Sequence, residues 1–135
     1  ALHDGLVPES AYPLVTRAAA ANSAVETASA GGMEVRFLPS TVYDGRFANN
    51  AWLQEAPDSI TKLVWDNAAY LNKHDAEENG IEHGDIVAIT IGSRTLEIAA
   101  YVLWGQPRGV IGLPLGYGRP FAGPVGENLG FDTYQ

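Results

Sequence analysis

The run Ile86-Val87-Ala88-Ile89-Thr90-Ile91, followed by Gly92-Ser93 and then Thr95 to Leu103, constrains this chain most. Five of its first six side chains are β-branched and favour extended backbone. A two-residue Gly-Ser pause fits a hairpin turn. Other short extended runs surround it. Met33, Val35 and Phe37 alternate with Glu34 and Arg36, a half-buried strand that Pro39 stops. Ile60 to Trp65 reads as a second strand, closed by Asp66-Asn67, and Val110 to Leu113 reads as another. One helix interrupts them. Asn72 is its N-cap, Asp75 stands in its first turn, Lys73 to Asn79 give two turns, and Gly80 is the left-handed stop before Ile81. Short strands, frequent turns and a small helix indicate a mainly β fold closed as a small barrel. Its expected core is Val35, Phe37, Leu63, Trp65, Ile86, Ile89, Leu96, Ile98, Val102 and Ile111.

Charge and composition narrow the function. The 135 residues carry a formal net charge of −8, which repels phosphate backbones and argues against nucleic-acid binding. The chain has no cysteine, so it holds no disulfide and no cysteine-ligated zinc or iron–sulfur site. No apolar run approaches the ~18 residues of a membrane span, so direct membrane insertion is not expected. The opening Ala1-Leu2-His3-Asp4 reads as a domain boundary. Residues 1–30 are small and weakly patterned, with Ala18 to Ala21 at their centre, and read as a linker or flexible arm. The barrel domain is assigned to 31–135.

Two stretches resemble a known family. Leu71-Asn72, Ala76 and Gly80-Ile81-Glu82-His83-Gly84-Asp85-Ile86-Val87-Ala88-Ile89 resemble the molybdopterin dinucleotide-binding domains of molybdopterin oxidoreductases. There a short helix ends at Gly and enters a strand through Gly-Asp. Tyr43 to Glu55, Pro57-Asp58, Thr61 to Ala69, and Leu113-Pro114-Leu115-Gly116-Tyr117-Gly118-Arg119 with the glycines after it are most similar to the large iron–sulfur and molybdopterin-like subunit of alternative complex III. The resemblance spans about residues 33–134. It implies a double-psi β-barrel with one or two short helices, the C-terminal domain of a larger electron-transfer subunit. It further implies a quinol-oxidising respiratory complex on the periplasmic or outer face of a bacterial cytoplasmic membrane. Iron–sulfur clusters would lie elsewhere in the parent. The partners implied are the other domains of the parent subunit and neighbouring subunits. This domain would be non-catalytic scaffold and bind no cofactor alone. The alternative is a genuine molybdopterin dinucleotide-binding domain.

The candidate residues follow from both readings. Asn49, Asn50 and Gln54 offer paired donors and acceptors that suit a pterin or guanine edge, or that hold an irregular loop together. Phe47, Trp52, Leu53, Gln54 and Tyr117 are expected at an interface with neighbouring domains. Gly116 to Arg119 offers backbone amides and a guanidinium to a phosphate, or simply a tight glycine corner. The cofactor-binding set is therefore Asn49, Asn50, Arg119 and Asn128. His74, Asp75, Glu77, Glu78, Glu82, His83 and Asp85 read as a solvated helix and turn, without metal-ligand spacing. Gly92-Ser93 reads as a plain turn, although aspartate decarboxylase, which shares the double-psi β-barrel that the resemblance implies, cleaves itself before a serine. Asp58 and Asp66 lack a histidine partner in sequence, so no catalytic residue is assigned.

Overall fold

The computed structural model describes residues 32–135, together with Pro13. The expected arm over residues 1–30 lies outside these apart from Pro13. Five strands form a curled mixed sheet, a half-barrel: β1 Glu34–Leu38, β2 Ala69–Leu71, β3 Ile86–Ile91, β4 Arg94–Val102 and β5 Val110–Pro114, in the order β1-β5-β2-β4-β3. Three short helices accompany them: α1 Ala51–Glu55, α2 Lys73–Asn79 and α3 Gly123–Gly126. The fold is mainly β, as expected.

The hairpin forms as its sequence requires. Ile91 pairs with Arg94 across Gly92-Ser93, and the register runs back to Ile86 opposite Ala99. Gly92 has φ +62, a conformation glycine adopts at little cost. β2 runs parallel to β4, and β1 parallel to β5. Parallel neighbours need long crossovers. The chain between β2 and β4 is one such crossover and carries α2 and β3.

Helix α2 is capped as expected. The Asn72 side chain accepts from the His74 amide at 2.8 Å. Gly80 closes the helix at φ +66, and Ile81 N–H returns to Ala76 O at 2.9 Å. Asp85 holds the following turn by accepting from the Glu82 amide at 2.8 Å. Asp75 does more than favour the helix dipole. It is buried, and its carboxylate accepts from Gly109 N–H at 2.6 Å and Arg108 Nε at 3.3 Å, tying α2 to the turn before β5.

The expected strand over 60–65 does not form. Lys62 and Trp65 both take left-handed φ, near +64° and +59°, which breaks an extended run. Asp58 Oδ1 instead gathers the Ile60 and Thr61 amides and the Thr61 hydroxyl at 2.7–2.9 Å and folds the segment into a turn. The Trp65 amide then bonds to Gln54 O. The second strand is the shorter β2, just downstream.

The core is smaller-grained than expected. Ala69, Leu71, Ala76, Ile98, Ala100, Ile111 and Leu113 are buried together, with Val35, Val87, Ile89, Leu96 and Val102 packed half-buried against them. Phe37 and Ile86, expected inside, are 53% and 61% exposed. Both stand on the outermost strands, β1 and β3, where one side of the strand has no neighbour. Leu63 and Trp65 are half-buried because the turn lifts them off the sheet.

Candidate functional site

The loop 43–50 and the tail 116–128 pack against each other at one rim of the sheet. Gly126 sits so close to Ala48 that a side chain there would collide with the Ala48 backbone. Gly116 meets Gly45 with the same intimacy, and the Arg119 side chain lies across Gly45. The expected cofactor-binding set of Asn49, Asn50, Arg119 and Asn128 draws on both segments.

Two of the four expected side chains, Asn49 and Asn50, are committed to holding the rim. Asn49 Oδ1 accepts from the Val125 amide at 2.9 Å, pinning the start of α3. Asn50 is the N-cap of α1, accepting from Trp52 and Leu53 amides at 3.1 and 3.4 Å. That cap is legible in Asn50 followed by Ala-Trp-Leu-Gln-Glu, although the segment lacks the periodicity that would mark a helix. Asn128 has φ +57, and its backbone N–H, not its side chain, donates to Arg119 O at 2.9 Å. It borders a hollow with Thr95, Glu97 and Gly118. Arg119 opens into a different depression with Asp44, Arg46 and Tyr134. The four expected cofactor residues therefore share a rim but not a cavity.

A pterin dinucleotide needs amide edges and a pyrophosphate cradle. The acceptor oxygens of Asn49 and Asn50 are already used. The Arg119 guanidinium makes no side-chain hydrogen bond or ion pair among the described residues, so it carries what fit there is. Its neighbour Arg46 is held by Asp44 in a two-point contact, Nε–Oδ1 2.9 Å and Nη2–Oδ2 2.7 Å. That contact, with the Arg46 amide, holds the Asp44 carboxyl far below the usual carboxylate range.

The expected interface residues divide. Trp52 is 87% exposed on α1 and Phe47 is half exposed, and Phe121, outside the expected set, is 90% exposed before α3. Leu53 is half-buried. Gln54 and Tyr117 are buried within the domain rather than standing out on the aromatic rim, and Tyr117 borders the neighbouring cleft instead. Gln54 Nε2 donates to Ala48 O at 3.0 Å, bracing the loop from below.

A cleft of about 500 Å³ lies beside this rim, bordered by Thr41, Asp58, Thr61, Asp66, Tyr70 and Tyr117. Asn67 fixes its floor. Its amide donates to Pro114 O and Phe131 O, both at 3.0 Å, and accepts from the Phe131 amide at 2.7 Å. Burial raises the Tyr70 and Tyr117 hydroxyls above the ordinary phenol value, and the fields of Asp66 and Asp58 reinforce this at Tyr117. Burial disfavours charge on Asp58, but the Thr61 and Ile60 amides and the Thr61 hydroxyl outweigh it and hold that carboxyl low. The sequence offers no periodic signal for this cleft, because its residues come from strand ends and turns far apart in the chain.

Among the described residues no three His, Cys, Asp or Glu side chains converge as a metal site. Among them no helix is long and apolar enough to cross a membrane.

No family model matches this chain. Sixty of its residues are 41% identical to part of a tetrathionate reductase subunit from Archaeoglobus fulgidus. The match covers 44% of this chain and 5% of that protein. It supports an oxidoreductase-like domain, in line with the resemblance to molybdopterin oxidoreductases. It does not reach to a particular respiratory complex.

Proposed function

We propose that this chain is a scaffold domain of a molybdopterin-oxidoreductase-like electron-transfer subunit, and that it performs no chemistry itself. The observation that carries this reading is the commitment of Asn49 and Asn50 to the rim's own backbone. A side chain whose acceptor is satisfied internally gains little by exchanging it for a ligand. The exposed aromatics Phe47, Trp52 and Phe121 then serve to dock the domain on its neighbours, the other domains of the parent subunit and adjoining subunits. The double-psi connection, the quinol-oxidising complex of the alternative complex III type, and its place on the periplasmic or outer face of a bacterial membrane belong to this proposal. They rest on the resemblance in Tyr43 to Glu55, Thr61 to Ala69 and Leu113 to Arg119.

Arg119 favours a second reading, in which the domain grips a molybdopterin dinucleotide. Such a cofactor would carry the redox chemistry, and Arg119 would bind a phosphate of its dinucleotide. Titrating the isotope-labelled 135-residue chain with pterin dinucleotide separates the two. The scaffold reading expects backbone amides in 43–50 and 116–128 to stay in place. Localised movement of those amides that is abolished in Arg119→Gln overturns it.

A further inference from the structure

The cleft beside Tyr117 has a one-sided charge. Asp58 and Asp66 line it, and none of its described lining residues is Lys, Arg or His. Lys62 stands on the Asp58 turn outside this lining, and its ammonium bonds to Ser59 O at 3.0 Å. Each carboxylate keeps capacity for a ligand. Asp58 spends Oδ1 on its turn and Asp66 spends Oδ1 on the Asn67 amide, and neither Oδ2 has a partner among the described residues. Two neutral phenols, Tyr70 and Tyr117, add polarisable faces. Leu38, Leu63 and Leu103 supply apolar wall, and Ile60 at the margin is 70% exposed.

This combination selects a ligand class. A pyrophosphate is repelled by like charge. A cation with several N–H donors is attracted, and a guanidinium suits the site better than an ammonium, because it is planar, weakly hydrated and stacks on aromatic rings. Apolar wall beside a charged end matches a hydrocarbon stem carrying a charged head. Ile60 is exposed apolar surface at the cleft margin, so a peptide chain, with more apolar atoms than a small cation, buries more of the site.

From this complementarity we infer that the cleft receives an arginine side chain presented by a partner polypeptide. Its stem lies along Leu38, Leu63 and Leu103, and its guanidinium faces Asp58 and Asp66. The domain is thereby keyed onto its neighbour at a point separate from the aromatic rim. This holds whether or not the rim binds a cofactor.

The test is a titration of the isotope-labelled full chain with four probes. These are a blocked Ala-Arg-Ala peptide, its citrulline counterpart, agmatine, and inorganic pyrophosphate. The Arg peptide is expected to move amides of 38–41, 58–67, Tyr70 and Tyr117. Citrulline keeps the shape without the charge and is expected to bind at least about tenfold more weakly, as loss of a charge-assisted hydrogen bond implies. Asp66→Asn, an exposed position with low folding risk, is expected to weaken the Arg peptide about fivefold. Equal binding of citrulline or pyrophosphate, or no movement with the Arg peptide at about 10 mM, overturns the proposal. Agmatine binding as tightly as the peptide overturns the polypeptide source and leaves a site for small cations.

Discussion

Asn67→Ala removes a side chain that ties three distant segments together beneath the cleft. Asn67 is 2% exposed and bonds to Pro114 O, Phe131 O and the Phe131 amide. Three buried bonds at about 1 kcal/mol each give about 3 kcal/mol. The orphaned Phe131 amide adds to this, whereas Pro114 O keeps the Thr133 hydroxyl at 3.1 Å. The expected loss is therefore about 3–4 kcal/mol, a large part of the ~5–15 kcal/mol that holds a domain together. Urea unfolding followed by tryptophan fluorescence measures it, and the melting midpoint is expected to fall by roughly 12–24 °C. Asn67→Asp is the informative companion. It keeps an acceptor for Phe131 N–H but turns an anionic oxygen toward two carbonyls, so it is expected to be no better than Ala. Hydrogen exchange at the Phe131 amide should accelerate before the rest of the domain opens. A loss below about 1 kcal/mol for Asn67→Ala would refute the idea that this amide clamps the tail to the sheet.

Other changes test separate parts of the account. Asp75→Ala is expected to cost about 2–3 kcal/mol, because it removes a buried carboxylate and strands the half-buried Gly109 amide, while Arg108→Ala, with a side chain 58% exposed, costs below about 1 kcal/mol; equal losses in thermal melts would contradict this. Gly118→Ala adds a side chain at φ +70 that collides with the Asp132 backbone, and is expected to prevent the tail from docking; normal protection of the Gly118 amide, which bonds to Leu129 O, would count against it. The folded-state carboxyl of Asp58 lies below its ordinary value, so its stabilisation is present above the unfolded value of roughly 3.9 and is lost as pH falls through the lower folded value. Wild type and Asp58→Ala should accordingly differ in stability at pH 7 by an amount that shrinks in acid; a gap that widens as pH drops would be the wrong sign.

The elements legible in the sequence are those specified by neighbours in the chain. The β3–β4 hairpin and α2 with its caps at Asn72 and Gly80 follow from local rules of turn and cap chemistry. The run from Ile60 to Trp65 misleads because alternation says nothing about a side chain such as Asp58 that reaches forward and folds the backbone into a turn. β2 is only three residues long and exists because β4 and β5 offer it partners, a non-local cause. Phe37 and Ile86 look like core by type, but strand order decides exposure, and strand order is not written in one strand. The rim is legible in part. Both of its segments stand out by composition, yet an amide looks the same in sequence whether it serves a ligand or the backbone beside it. Gln54 and Tyr117 look external because a loop rich in aromatics and amides resembles surface. The cleft is not legible as a site, since Thr41, Asp58, Tyr70 and Tyr117 converge only after folding.

The central claim is that this domain supports its parent without holding a pterin cofactor. Molybdenum and pterin content per subunit of the native parent complex, by elemental analysis and oxidised-pterin fluorescence, tests it most directly. The scaffold account predicts neither in stoichiometric amount. One molybdenum with a matching pterin dinucleotide in each subunit, lost together with binding in Arg119→Gln, would contradict it.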